Sequence, residues 1–180
     1  MERISMSKIT EHCHIRTGVL EDAKAILDIQ KSVISEGKYF ISVSEEFNKT
    51  PVQQRNWLHK LLKNERETLM VAEIDGKIVG WIVFQTQDRK RMTHTGSFGM
   101  MISKGYRSMG IGKLLLQALL EWAEQNPLIE KVSLGVFSTN HRAISLYKSM
   151  GFLEEGRKIK EFKFAENKYV DDILMYKLVN

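Results

Sequence analysis

The sequence predicts a mixed α/β fold, with a central mixed sheet of about seven strands flanked by about four helices. Two β-rich runs joined by Asp75-Gly76 predict a hairpin, helical apolar periodicity recurs along the chain, and short strands separate the helices. The 180 residues are 43% hydrophobic and 27% charged, which is typical of a globular chain. We expect residues 1–11 to be a flexible extension and residues 12–180 to form a single domain.

The first third of the chain is predicted to contain one strand and two helices. A short strand begins at residue 14, and a helix with an apolar stripe runs from residue 20 to Gly37. Residues 38–50 show no clean periodicity, so we interpret them as a loop. Thr50 then caps a second helix, whose first residue is a proline.

The remainder of the chain predicts a hairpin, a βαβα run and a closing pair of strands. The hairpin covers residues 68–84, and a further strand spans residues 95–102. A glycine-rich turn leads into a long amphipathic helix over residues 113–124. A strand over residues 132–137 and a helix capped by Asn140 follow.

The glycine-rich turn at residues 105–112 lies between a strand and a helix, an arrangement that suits an anion. Glycines let the backbone approach a phosphate, and the first amides of a helix lack intrahelical partners. Arg107 adds a charge-assisted donor. The turn is not a P-loop, because Leu114 follows Lys113, and its glycine spacing does not fit a dinucleotide fingerprint. It reads Arg-x-x-Gly-x-Gly, with a plain tight turn as the alternative.

Composition narrows the classes of partner. The net charge is +5, yet basic residues are densest only at residues 88–91, and no basic stripe with interleaved aromatics predicts nucleic-acid binding. A single cysteine, Cys13, excludes an internal disulfide and favours a reducing, cytoplasmic location. No segment has the apolar length of a membrane span. His12 and His14 beside Cys13 provide too few ligands for zinc, so no metal is expected.

Two linked motifs resemble the GNAT superfamily of N-acetyltransferases. One is the strand at residues 97–102 with the Arg-x-x-Gly-x-Gly loop, and the other is the block at residues 140–152, which is similar to the family's Asn…Ala…Leu-Tyr…Gly-Phe signature. One strand separates them and the hairpin precedes them, so the resemblance covers residues 14–178. It implies transfer of the acetyl group of acetyl-CoA directly to a primary amine of a small molecule, an amino acid or a protein N-terminus.

The resemblance also implies roles for individual residues. The residues expected to bind the cofactor are Met100, Met101 and Ile102 at the pantetheine arm, Arg107, Ser108, Met109, Gly110, Ile111, Gly112 and Lys113 at the pyrophosphate, and Asn140 at the cofactor or an ordered water. Tyr147 matches the position of the acid that protonates the departing thiol. The alternative for Tyr147 is a core aromatic on the helix face.

The sequence does not identify the general base or the acceptor amine. Glu36 is the first candidate base, with Glu73 and His94 as alternatives. Structural roles for all three, and direct attack without a base, are competing interpretations. Asp171 and Asp172 could attract a cationic amine, or lie exposed at a strand start.

The walls of the acceptor site are expected around Tyr39, Phe40, Ile41 and Phe47 on one side and residues 167–175 on the other. A CoA-binding sensor without turnover is the alternative function, and a homodimer built on the final strands is a hypothesis.

Overall fold

The computed structural model describes residues 12–179, so the predicted extension at residues 1–11 lies outside the described residues. Within that range, seven strands form one sheet in the order β1-β2-β3-β4-β5-β7-β6. The elements are β1 Cys13–Thr17, α1 Ala23–Ile34, α2 Pro51–Leu62, β2 Thr68–Ile74, β3 Lys77–Thr86, β4 Thr95–Ile102, α3 Ile111–Gln125, β5 Lys131–Phe137, α4 His141–Ser149, β6 Leu153–Ala165 and β7 Lys168–Leu178. The predicted mixed α/β architecture is confirmed.

Local sequence signals account for two of these elements. Asp75 and Gly76 both have positive φ, 49° and 74°, as a tight hairpin turn between antiparallel strands requires. At the start of α2, the Thr50 hydroxyl accepts from the Gln53 amide at 3.2 Å, and the Gln53 side-chain oxygen accepts from the Thr50 amide at 2.9 Å. This reciprocal cap fixes the helix start immediately before Pro51.

The sheet separates two hydrophobic clusters. On one face, which we call the α3/α4 face, the buried cluster draws on α3 together with side chains of β4, β5 and β7 and Tyr147 of α4. On the other, the α1/α2 face, α1 and α2 bury Ile26, Leu58 and Leu61 against Val71 and Trp81. Each fully buried large apolar side chain contributes roughly 1.5–3 kcal/mol of transfer free energy, so both helical layers are held firmly on the sheet.

A split opens in the middle of the sheet. The strands β4 and β5 are parallel, but they pair only where residues 95–97 meet residues 131–133. Beyond that point β4 continues to pair with β3 as far as Ile102. Residues 98–102 therefore have one edge on which no strand of the described chain lies, and their main-chain groups there are available to a ligand.

None of the helices within residues 12–179 is both long enough and apolar enough to cross a membrane.

Candidate active site

The turn before α3 is built to present main-chain amides. Ser108 and Gly110 both have positive φ, 62° and 82°, and Gly110 occupies the N-cap, so the helix begins at Ile111, two residues earlier than predicted. In the described part of the chain, the amides of Gly110, Ile111 and Gly112 have no recorded acceptor. Unpaired amides at the positive end of a long helix form an anion-binding site.

Gly112 seats this turn against β4. A Cβ placed on Gly112 would lie 3.3 Å from Ile102, 3.4 Å from Leu146 and 3.5 Å from Met100, all side-chain atoms on the α3/α4 face. A larger residue would therefore push the turn away from the strand. The anion-binding turn thus lies beside the free edge of β4, on the α3/α4 face of the split.

The Arg107 side chain, expected from the sequence to be a donor to phosphate, makes its hydrogen bonds within the protein. Its Nη1 and Nη2 atoms donate to the two carboxylate oxygens of Glu36 at 2.7 and 2.6 Å. Its Nε donates to the main-chain oxygen of Ile102 at 2.9 Å. Arg107 therefore ties the end of β4 to the segment that follows α1.

This ion pair changes the interpretation of Glu36, the first candidate base. Hydrogen bonds from Arg107 hold the pKa of the Glu36 carboxyl below its usual range, despite the opposing effect of burial. A carboxylate stabilised in this way is a poor proton acceptor near neutral pH. Glu36 is thereby tied to the turn through Arg107, and both of its carboxylate oxygens accept hydrogen bonds.

A second cation contacts the turn. Arg142, at the start of α4, donates from Nη1 to the Ser108 hydroxyl at 2.8 Å and is exposed. The sequence motif gave no reason to single out Arg142, because its contact spans 34 residues. Lys113, in the first turn of α3, is also exposed. The surroundings of the turn are therefore positive.

Tyr147 lies where the two strands separate. Its ring packs edge-on against Phe98, with centroids 5.5 Å apart, and against Phe152 at 6.1 Å. Phe98 is the first β4 residue beyond the last pair with β5. Burial raises the pKa of Tyr147 to about 12, so the phenol keeps its proton at neutral pH. The residue has both the packing of a core aromatic and the protonation state of an acid.

The other expected cofactor residues occupy two positions. Asn140 caps α4, because its side-chain oxygen accepts from the Ala143 amide at 3.3 Å. On β4, Met100 and Ile102 pack into the α3/α4 cluster, whereas Met101 packs on the opposite face. The side chains of these three residues thus pack into the two hydrophobic clusters, and only their main-chain groups border the split.

The alternative bases lie away from the split. Glu73 is bound to Arg16 at 2.8 Å, and Arg16 also binds Asp22, so these ion pairs join β1 and β2 to the turn before α1. His94 is exposed just before β4, at the end of that strand opposite Arg107. Neither residue is brought to the turn or to Tyr147.

The two acids of the closing strand have different environments. Asp171 is bound by Arg157 at 2.8 Å and accepts from the Lys160 amide at 2.7 Å. Asp172 is only 8% exposed, so the exposed-strand-start interpretation is wrong for this residue. The reason is that β7 begins four residues earlier, at Lys168, and Asp172 lies inside it.

The loop expected to wall the acceptor site is present between α1 and α2. Tyr39 and Ile41 are exposed, and Phe40 packs against the α1/α2 cluster. Among the residues described, no group of three or more His, Cys, Asp or Glu side chains could hold a metal ion.

The sheet is split between two parallel strands, and an amide-lined turn and a buried phenol lie beside the split. This arrangement suits an extended, phosphate-bearing ligand. Residues 33–152 match the acetyltransferase (GNAT) family. The chain is 29% identical over 119 residues to the L-amino acid N-acetyltransferase AaaT of Escherichia coli, covering 66% of this chain and 73% of that protein.

Solved structures support the same family assignment. An acetyltransferase of the GNAT family from Streptococcus pneumoniae superposes with a TM-score of 0.88 at 27% identity, covering 93% of this chain and 99% of that one. The fold is also that of a phosphinothricin acetyltransferase from Sinorhizobium meliloti solved in complex with acetyl-CoA, with a TM-score of 0.81, 18% identity and coverage of 93% and 88%. The chain belongs to the GNAT family, and it is an acetyl-CoA-dependent acyltransferase.

Proposed function

We propose that this enzyme transfers the acetyl group of acetyl-CoA directly to a primary amine of a small molecule, an amino acid or a protein N-terminus. The observation that carries the proposal is the split between β4 and β5, with a free strand edge beside an amide-lined turn. The name of the Escherichia coli relative, an L-amino acid N-acetyltransferase, supports an amine acceptor. No metal is needed for this reaction, because the thioester is already activated.

The free amides at the start of α3 would hold the pyrophosphate, and β4 would bind the pantetheine arm as an added strand. The fit rests on three features: the open edge of residues 98–102, the left-handed turn at Gly110, and the close seating of Gly112 on β4. Arg142, Lys113 and Ser108 add positive charge and a hydroxyl at the same turn. Arg107 would act indirectly, by fixing the turn.

Tyr147 would donate the proton that the departing sulfur needs. Its pKa of about 12 keeps it protonated, and its ring is held at the split by Phe98. Asn140 would contribute mainly by fixing the start of the helix that carries Tyr147. Glu36 is proposed as a positioning residue, because Arg107 occupies both of its carboxylate oxygens.

We expect a homodimer and a cytoplasmic enzyme. The outermost strand, β6, exposes Leu153 and Ile159 at the end of the sheet, which suits pairing between two copies. Half-buried Cys13 has no second cysteine with which to form an internal disulfide, as suits a reducing compartment.

An amine-panel assay tests the proposed function. The purified protein is mixed with acetyl-CoA and, in turn, with the L-amino acids, their amides, short peptides and spermidine, while free CoA is measured. Release of CoA that depends on one of these amines is the expected result. Binding of acetyl-CoA, seen as a rise in Tm, with no amine giving turnover would instead indicate a CoA-binding module.

A further inference from the structure

The buried carboxylate of Asp172 lies on the α1/α2 face of the sheet, opposite the turn. Along β5, Val132, Leu134 and Val136 belong to the α3/α4 cluster. Because side chains alternate along a strand, Gly135 presents the other face. A Cβ placed on Gly135 would lie 2.8 Å from one carboxylate oxygen of Asp172 and 3.2 Å from the other, so this carboxylate lies directly beside Gly135.

The same face is open on the far side of the split. Met101 of β4 packs on the α1/α2 face, so by alternation Gly99 faces that side too. Among the described residues, a Cβ placed on Gly99 would meet only Val83 within 4 Å, at 4.0 Å, and both glycines are exposed. The last pair between β4 and β5 is Ser97 with Ser133. Gly99 and Gly135 each lie two residues further along, so a glycine borders the split on both sides. The carboxylate of Asp172 lies beside Gly135.

The charge on Asp172 is only weakly compensated. Within residues 12–179 its ion-pair partner is the Lys158 ammonium at 3.7 Å, which is half exposed and also lies 3.4 Å from Glu161. The Val136 amide donates a hydrogen bond to the carboxylate. Burial raises the pKa of Asp172, and Glu161 adds to that rise while Lys158 opposes it. A buried carboxylate whose cation partner is half exposed and shared with a second carboxylate can still attract an ammonium ion and accept a proton.

We propose that Asp172 binds the ammonium group of the acceptor amine on the α1/α2 face and accepts one of its protons, an assignment that rests on the proposed acetyl transfer. The amine nitrogen then forms a bond to the thioester carbonyl carbon, and the carbon–sulfur bond breaks with its electron pair on sulfur. Two protons leave the nitrogen overall. One goes to Asp172 and on to solvent, and the other replaces the proton that Tyr147 gives to sulfur.

The two proton-transfer groups thus serve opposite faces of the sheet. Tyr147 lies in the α3/α4 cluster, on the side of the anion-binding turn, where the sulfur would depart. Asp172 lies on the other side, together with the loop that carries exposed Tyr39. The acceptor class that fits this site is a cationic primary amine, which would enter from the α1/α2 face.

The test compares Asp172→Asn with Asp171→Asn, a control that removes one carboxylate from the neighbouring residue on the opposite face. The probe is the amine that releases CoA fastest in the panel above. For Asp172→Asn we expect kcat/KM for the amine to fall about 100-fold or more at pH 7, since general base catalysis contributes roughly 100- to 10,000-fold. Acetyl-CoA affinity, measured by calorimetry, should stay within about threefold, and Asp171→Asn should lose much less activity.

Two further readouts separate catalysis from folding. Wild-type kcat/KM should form a bell against pH, with Asp172 on the acidic limb and the amine on the alkaline limb, whereas Asp172→Asn should only rise with pH as free amine accumulates. Binding of the probe amine to the enzyme–CoA complex should weaken at least tenfold in Asp172→Asn. Because burial raises the Asp172 pKa, ionisation disfavours the folded state above that pKa, so Asp172→Asn should keep or raise the Tm at pH 7.

The outcomes are distinguishable. If the wild type acetylates an amine but Asp172→Asn retains turnover within about threefold, or keeps the bell-shaped profile, the assignment of Asp172 is wrong and the acetyl transfer stands. If the wild type acetylates none of the amines, the proposed function is wrong, and so is the role assigned to Asp172.

Discussion

Tyr147 combines a ring that packs the core with a phenol that can give up a proton, and the two contributions can be measured separately. We predict that Tyr147→Phe lowers kcat and kcat/KM together, by about 100- to 10,000-fold, while acetyl-CoA affinity changes little. The ring contacts with Phe98 and Phe152 remain in this variant, so the fold should be kept. Steady-state kinetics and calorimetry check the two parts.

The pH dependence of the same variant sharpens the test. A thiol has a pKa near 8.5, so protonating the leaving group matters less as the pH rises. The gap between wild type and Tyr147→Phe should therefore narrow between about pH 7 and pH 9.5. The Tyr147 pKa of about 12 predicts no alkaline limb from this residue in that range. If the chemical step limits the rate and Tyr147→Phe still turns over within about twofold of wild type, Tyr147 is a core aromatic and not the acid.

At the scale of elements, the turn before α3 depends on charge as well as on conformation. We predict that Gly110→Asp abolishes acetyl-CoA binding while the protein stays folded, because a carboxylate would stand in the proposed pyrophosphate site. Gly110→Asn is the matched control, since Asn and Asp tolerate the left-handed φ of 82° similarly and differ in charge. Acetyl-CoA should still raise the Tm of the Asn variant. A similar rise in the Asp variant would place the pyrophosphate elsewhere.

The Glu36–Arg107 pair joins the segment after α1 to the same turn. We predict that Glu36→Gln lowers the free energy of unfolding by about 1–3 kcal/mol at pH 7, because it leaves the half-buried guanidinium without its carboxylate. The Glu36 pKa is lowered in the fold, so its stabilising contribution is present above the unfolded pKa near 4.3 and is lost as the pH falls through the folded pKa.

Urea unfolding from pH 7 down to pH 3 measures this dependence. The difference between wild type and Glu36→Gln should shrink at the acidic end. Glu45→Gln, an exposed change in the same loop, is the control for charge alone and should have little effect. In Glu36→Gln, KM for acetyl-CoA should rise more than kcat falls. A much larger fall in kcat, with stability unchanged, would make Glu36 the base after all.

The sequence predicts the helices, the strands and the glycine-rich turn before α3, but it does not predict which distant side chains contact each other. The hairpin at Asp75-Gly76 and the cap at Thr50 are encoded by neighbouring residues, so local chemistry suffices to predict them. The Arg107–Glu36 contact spans 71 residues, and no local pattern reports it. Asp172 lies inside β7 and packs beside a glycine of another strand, a long-range contact that no local pattern indicates.

At the scale of the whole molecule, the sheet ends at an edge that suits self-association. Ile159 and Leu153 on β6 are 67% and 60% exposed. We predict a sedimenting species of about twice 20.8 kDa at micromolar concentration, and dissociation by Ile159→Lys, because burying an unpaired ammonium in an interface is costly. Ile41→Lys, equally exposed but outside β6, should leave the assembly intact. A stable 20.8 kDa species in the wild type would refute the dimer.

The split between β4 and β5 also constrains the order of events in turnover. If the phosphate-bearing donor and the amine bind on opposite faces of the sheet, as proposed above, neither has to leave before the other arrives. Initial-rate lines at several fixed amine concentrations should therefore intersect, as for a ternary complex, and not run parallel as for a ping-pong cycle with an acylated protein. With the two proposed binding places on opposite faces of the sheet, free CoA should compete with the donor but not with the amine.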